Sequence, residues 1–238
     1  MTAALVLIAT MLDPGATVAQ RNDACFALRG ERSPAAITAF QQALGDRVVR
    51  ACAARDLQQA GAIDALIAAL GGADADIQMA AARELGEMRD PRALEPLGRA
   101  ALDGNMMVAA SAIGALGAYE DNGALPYLLR AAVQPGVAGM IALQNAARLH
   151  DTAVLPIARK AIEKGDIAAQ VVGITILGDM GDAGDLPKLR ELAAITDPVY
   201  SRGRGFGFMP PIDIGRAAKN AIGQINGRMQ TSGTEPRP

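Results

Sequence analysis

The sequence predicts an all-α protein, a right-handed α-solenoid (superhelix) of about six antiparallel helix-pair repeats. Three observations predict it. Ala dominates nearly every segment, β-branched and aromatic runs are short and scattered, and one proline-marked segment returns at an almost constant interval. Half of the 238 residues are hydrophobic (50%) and 20% are charged, so there is enough apolar material for a substantial core. That core must be built from small side chains, because there is no Trp and only 4 Phe and 3 Tyr. Helices faced with Ala can approach one another closely. A formal net charge of -2 supplies no global field to draw the chain to nucleic acid or to an anionic bilayer.

The repeat emerges when the chain is aligned on itself. Ala93-Leu94-Glu95-Pro96-Leu97 returns as Ala124-Leu125-Pro126-Tyr127-Leu128, as Val154-Leu155-Pro156-Ile157 and as Asp185-Leu186-Pro187-Lys188-Leu189. The four prolines are spaced 30, 30 and 31 residues apart. Ahead of three of them stand Leu85-Gly86, Leu116-Gly117 and Leu177-Gly178, each followed by an Asp-bearing stretch: Asp90-Pro91, Asp121-Asn122 or Asp182-Ala183. Each unit therefore reads as a first helix, a turn and a second helix. Proline fits the start of the second helix, where the backbone N–H it lacks would have no intrahelical partner. The register extends back, more weakly, to Ala62-Ile63-Asp64-Ala65-Leu66 and Ser33-Pro34-Ala35-Ala36-Ile37, and forward to residues 214–225, where Ile222-Gly223 takes the place of Leu177-Gly178. Within the first helices Ile77, Ala80, Ala81 and Leu85 follow helical spacing and mark a buried face.

The unit written as Ile77, Ala81, Leu85-Gly86, Asp90-Pro91, Ala93-Leu94 and Pro96-Leu97 resembles the short HEAT-like repeat of about 30 residues also found in phycobilisome lyase proteins. The resemblance runs over roughly residues 22–227. It implies a protein-binding scaffold, since most such repeats present binding surfaces while a minority handle chromophores or act as metal enzymes. It also implies that the second helices line a concave face. Arg99, Arg130, Arg159 with Lys160, and Arg190 lie three or four residues past the marker prolines, so they would form a basic ladder in that face. Such a ladder could hold an acidic peptide by charge-assisted contacts, or it could simply keep an Ala-rich surface soluble.

Two segments fall outside the repeat. Residues 3–12 are an apolar run ending at Asp13-Pro14-Gly15, and Thr17-Val18-Ala19 offers a signal-peptidase site before Gln20. Residues 1–19 are expected to be a signal peptide, with a frayed apolar N-terminal helix as the alternative, so the protein is expected to be exported, periplasmic or extracellular, with a cytoplasmic location as the alternative. A ten-residue run is too short to leave a stable membrane anchor. Between Asp197 and Pro211 the register breaks, and Tyr200, Arg202, Arg204, Phe206 and Phe208 gather residue types that anchor interfaces. The expected layout is a solenoid over 20–227 with a disordered tail over 228–238.

No catalytic set is visible. His150 is the only histidine, so the paired His-Glu motifs of the HEAT-type metal hydroxylases are absent. No nucleotide-binding or nucleophile-elbow string occurs. Cys25 and Cys52 lie too far apart for the usual zinc motifs, and they read either as a disulfide that ties the first two repeats or as two buried thiols. Sequence reasoning thus expects no metal, no cofactor and no nucleic-acid partner. It points to a non-catalytic scaffold that binds a protein or peptide through its second helices and the 197–211 segment. The alternative is a chromophore- or small-molecule-handling protein related to the bilin lyases, which the scarcity of aromatics disfavours.

Overall fold

The computed structural model of the chain describes residues 3–195 and 213–232. These residues form helices and turns, with no strand among them. The helices are α1 (Ala3–Leu12), α2 (Val18–Ala27), α3 (Pro34–Ala43), α4 (Arg50–Gln59), α5 (Ile63–Leu70), α6 (Ala75–Met88), α7 (Leu94–Asp103), α8 (Met106–Leu116) and α9 (Leu125–Ala132), followed by α10 (Val137–Ala147), α11 (Leu155–Lys164), α12 (Ile167–Met180), α13 (Leu186–Ala193) and α14 (Ile214–Ser232). The fold is a solenoid of helix pairs in two compact units, Met1–Ala131 and Ala132–Pro238. In the first unit α2/α3, α4/α5, α6/α7 and α8/α9 are successive pairs, and α1 leads them. In the second unit α10/α11 and α12/α13 are pairs, and α14 packs on α12 and α13 in the role of a last first helix.

The repeated Asp is what turns the chain inside each pair. The side chains of Asp90, Asp121, Asp151 and Asp182 each accept a hydrogen bond from the backbone N–H two residues on, at Arg92 (2.9 Å), Gly123 (2.8 Å), Ala153 (2.8 Å) and Gly184 (2.7 Å). This local bond satisfies a donor that the coming helix cannot. In three of the four turns a short 3₁₀ segment then leads into the second helix. Pro126, Pro156 and Pro187 occupy the second position of α9, α11 and α13, where the missing N–H costs nothing. The apolar residues in step with this turn form the core: Ala93 and Leu97, Ala124 and Leu128, and Val154 and Ala158 are all fully buried.

Between units of the repeat the packing depends on small residues. A Cβ on Gly86 would lie 2.7 Å from the Cα of Ala115, so α6 and α8 meet backbone to backbone at that point. Tyr119, beyond the end of α8, is a buried aromatic in this Ala-rich core, and it ties the same two elements together. Its hydroxyl donates to the carbonyl of Asp90 at 2.9 Å, with the Leu85 carbonyl at 3.4 Å.

Residues 3–12 form α1, which packs on α2 and α3 and buries Met11 completely. The reason is Arg21, a buried cation whose Nε donates to the Met11 carbonyl at 2.9 Å while its guanidinium pairs with Asp46. At the other end α14 continues through Ser232, beyond the expected limit at 227. Arg228 holds that last turn down by donating to the carbonyls of Gly178 and, at 2.9 Å, Gly181.

Burial, together with the nearby Asp90 and Asp121 carboxylates, pushes the Tyr119 phenol up to about 12. The unfolded phenol ionises near 10, so the contribution of Tyr119 is intact below that pH and is lost as pH rises from about 10 to about 12. Urea denaturation at pH 8 should find Tyr119→Phe less stable by about 1 kcal/mol, the net worth of the hydrogen bond. The gap should narrow across the alkaline range. A constant gap there would show that the phenol is not the titrating group.

Candidate functional site

The second helices display the cations that the repeat register selects. Arg99 on α7 and Arg130 on α9 belong to the first unit, and Lys160 on α11 and Arg190 on α13 to the second. All four are exposed, and among the described residues none forms an ion pair within 4 Å. Arg159 stands in the same register but is committed elsewhere. Its Nε donates to Asp185 at 2.7 Å and its terminal amine to Asp185 at 3.1 Å and Asp182 at 3.2 Å.

Those bonds have a cause in the repeat itself. Asp185 occupies the column filled by Ala93, Ala124 and Val154 elsewhere, and it is just as buried. Burial alone would raise its pKa, but the hydrogen bonds from Arg159 and from the Asp182 N–H, with the charge of Arg159, hold the carboxyl below its ordinary value. Arg159 is therefore a structural cation. The broken apolar column at Asp185 was the sequence signal for it.

Two grooves of the same make accompany the free cations, one in each unit. The first, about 310 Å³, is lined by Ile67, Leu70, Pro96, Arg99, Gly104 and Val108 among others. The second, about 420 Å³, includes Val133, Met140, Leu143, Ile157, Lys160 and Lys164. Arg99 and Lys160 are equivalent residues two repeats apart, as are Gly104 and Gly165, each of which closes its second helix in extended conformation. A Cβ would lie 2.7 Å from the Ala100 carbonyl oxygen at Gly104 and 2.5 Å from the Ala161 carbonyl oxygen at Gly165. Glycine thus lets the next first helix begin at once, and that helix is capped by Asn105 or Asp166. The product in each case is an apolar trough beside a cation with no ion-pair partner among the described residues.

Arg47, just before α4, gathers with Arg50 and Arg55 of α4 and Arg83 of α6 around one cavity, but Glu84 and Glu87 sit among them. Arg50 is already bound to the Leu44 carbonyl at 2.7 Å. His150 is exposed at φ 52, in the left-handed position that Arg89 (φ 51) takes two repeats earlier. Both precede the turn Asp, so His150 holds the equivalent place in its turn. Cys25 on α2 and Cys52 on α4 are joined by a disulfide, with their Cα atoms 6.4 Å apart. Of the two readings open from the sequence, the packing of α2 on α4 brings the side chains together as the disulfide. Tyr200, Arg202, Arg204, Phe206 and Phe208 lie outside the described residues, as does the whole 197–211 segment.

Replacing Arg159 with Gln should destabilise the second unit by about 1–3 kcal/mol, because it leaves the Asp185 carboxylate buried without its partner. A carboxyl whose folded pKa is depressed stabilises the fold above its unfolded pKa, near 4, and that contribution fades as pH falls through the folded value. The difference between wild type and Arg159→Gln in chemical denaturation should accordingly be full at pH 7 and shrink below about pH 4.

Residues 63–138 match the family model of HEAT repeats. None of the curated proteins compared with the chain matches it. Among solved structures, a designed armadillo repeat protein in complex with the peptide (KR)4 is 15% identical, with 94% of this chain and 100% of that chain covered and a TM-score of 0.50. The complex of CpcE and CpcF of phycocyanin lyase from Nostoc sp. PCC7120 is 18% identical, covers 95% of each chain and has a TM-score of 0.41. Human deoxyhypusine hydroxylase is 18% identical, with 94% of this chain and 96% of that chain covered and a TM-score of 0.37. The likeness to the armadillo repeat protein shows a shared fold.

Proposed function

We propose that this HEAT-repeat chain is a non-catalytic scaffold that holds an extended, acidic and partly apolar segment of a protein partner along its second helices. The observation that carries the reading is the duplicated groove. Arg99 and Lys160 each stand unpaired beside an apolar trough built from equivalent residues, one in each unit. A segment with alternating carboxylates and aliphatic side chains would satisfy both features, the cation by a charge-assisted hydrogen bond and the trough by apolar burial. Arg130 takes the equivalent position in the repeat between them, and Arg190 stands one position earlier in the last repeat. The residues Tyr200, Arg202, Arg204, Phe206 and Phe208 are proposed as a further contact.

A fluorescein-labelled peptide of alternating Glu and Leu serves as the probe in fluorescence anisotropy. Wild type should bind it at low salt and more weakly as salt rises. Arg99→Glu and Lys160→Glu should each weaken binding by about tenfold, roughly 1.4 kcal/mol, and the double variant further. Equal affinity of wild type and the double variant would dismiss the groove. Arg159 is left intact, since its loss would act through stability.

We also propose that the protein works in an oxidising compartment, which the Cys25–Cys52 bond supports. Export and removal of residues 1–19 are separate claims, because cleavage before Gln20 would take α1 away and deprive Arg21 of the Met11 carbonyl. N-terminal sequencing of the protein from its native host, with thiol labelling of the same sample, decides both. A start at or near Gln20 with blocked cysteines supports export with removal; an intact Met1 with two free thiols sinks both claims.

A further inference from the structure

Beside the Cys25–Cys52 bond lies a carboxylate that the fold leaves unexplained. Asp56 is one turn beyond Cys52 on α4 and is only 5% exposed. One of its oxygens, Oδ2, is 3.5 Å from Cys52 Sγ, and the other, Oδ1, is buried and accepts no hydrogen bond. A buried carboxylate with an empty acceptor is costly, and a disulfide does nothing to repay it, having neither a proton to donate nor a positive charge. The same position becomes sensible once the sulfurs are separate. The two Sγ atoms and an Asp56 oxygen all lie within 4.8 Å of one another, and all three residues are buried.

We propose that, with the disulfide reduced, Cys25, Cys52 and Asp56 are the three protein ligands of a site for a zinc-class divalent cation. Two thiolates and one carboxylate form a donor set that zinc accepts, with a fourth tetrahedral position left to water or to an incoming ligand. The sulfur donors select against magnesium and calcium, which require oxygen. Three negative ligands around a doubly charged ion leave one negative charge, and Arg29 and Arg55, which act on the Asp56 carboxyl through their charge, balance it from outside. A dithiol reductant gives two electrons to the sulfur–sulfur bond and becomes a cyclic disulfide, leaving Cys25 and Cys52 as thiols. Binding of the cation then displaces the two thiol protons to solvent. Disulfide and metal site are mutually exclusive states of one pair of residues, so the first two repeats would be tied by a covalent bond under oxidising conditions and by an ion under reducing ones. The sequence spacing of the cysteines hides this site, because its ligands come from two different repeats.

The full-length chain is reduced, freed of reductant without oxygen, and titrated with Zn2+ by calorimetry and with Co2+ by absorption spectroscopy. Reduced wild type should take up about one equivalent and give the intense visible bands of tetrahedral cobalt with thiolate charge transfer, while the oxidised chain should show neither. Asp56→Asn should bind at least about tenfold more weakly with an unchanged circular-dichroism spectrum, and Cys25→Ser should abolish the charge-transfer band. The proposal is overturned if the reduced chain takes up no more zinc than the oxidised one, or if Asp56→Asn or Cys25→Ser binds as tightly as wild type. It is equally overturned if reduction removes helical structure that zinc does not restore.

Discussion

At Gly86 a Cβ would lie 2.7 Å from the Ala115 Cα, and that distance sets the terms for the rest of the chain. Helices that meet backbone to backbone gain dispersion contacts along their length, but they leave no room for large side chains between them. The stack therefore draws its apolar burial from two places only: the Leu, Ile and Val residues inside each helix pair and the Ala faces between pairs. Neither face is buried until a neighbour is present, which makes each repeat dependent on the next. The shortage of aromatics is a consequence of this spacing. Tyr119 is accommodated because it lies just past the end of α8, where its ring is buried and its hydroxyl reaches the turn of the preceding repeat.

Close packing also creates the grooves. Gly104 and Gly165 end their helices so abruptly that the next first helix starts against the previous one, and the space between second helices is left as an apolar trough. Cations at the rim of such a trough are the ordinary way to keep it in water, with the stem of Arg99 or Lys160 over apolar surface and the charge exposed. What separates a solubilising cation from a recognising one is whether its charge is already spent. Arg159 is spent on Asp185, and Arg92 on Asp90 at 2.9 Å and Asp64 at 3.5 Å. Arg99 and Lys160 are not, and both stand beside a trough.

The sequence made the helix pairs legible because their determinants are local. A turn Asp bonds the N–H two residues on, a proline tolerates only the first turn of a helix, and the apolar column follows within four residues. Each determinant recurs, so four copies reveal the pattern. The ladder was legible as positions but not as chemistry: nothing near Arg159 in the chain says that Asp182 and Asp185 will face it, although the lapse of an apolar column at Asp185 hinted that a cation was needed. The seat of α1 was hidden for the same reason. Residues 3–12 have the composition of a leader, and only the fold shows Arg21 reaching back to Met11 and across to Asp46. Long-range partners of single charged residues leave no periodic trace.

Among the described residues four charged side chains are buried: Arg21, Asp56, Glu84 and Asp185. Arg21 and Asp46 tie α1 and α2 to the turn before α4. Asp185 and Arg159 join successive second helices. Glu84 on α6 has Arg83 at 3.6 Å, and burial with the neighbouring Glu87 pushes its carboxyl up, so it is held with less compensation. Burial pushes the Asp56 carboxyl up against the charges of Arg29 and Arg55, with one oxygen accepting no hydrogen bond and the other facing sulfur. A repeat fold replaces a buried charge with Ala at small cost to packing, as the Ala93 and Ala124 columns show. Where the charge persists and finds a partner, the pair has a structural use. At Asp56 the charges of Arg29 and Arg55 act on the carboxyl, but one oxygen accepts no hydrogen bond and the two sulfurs stand beside it.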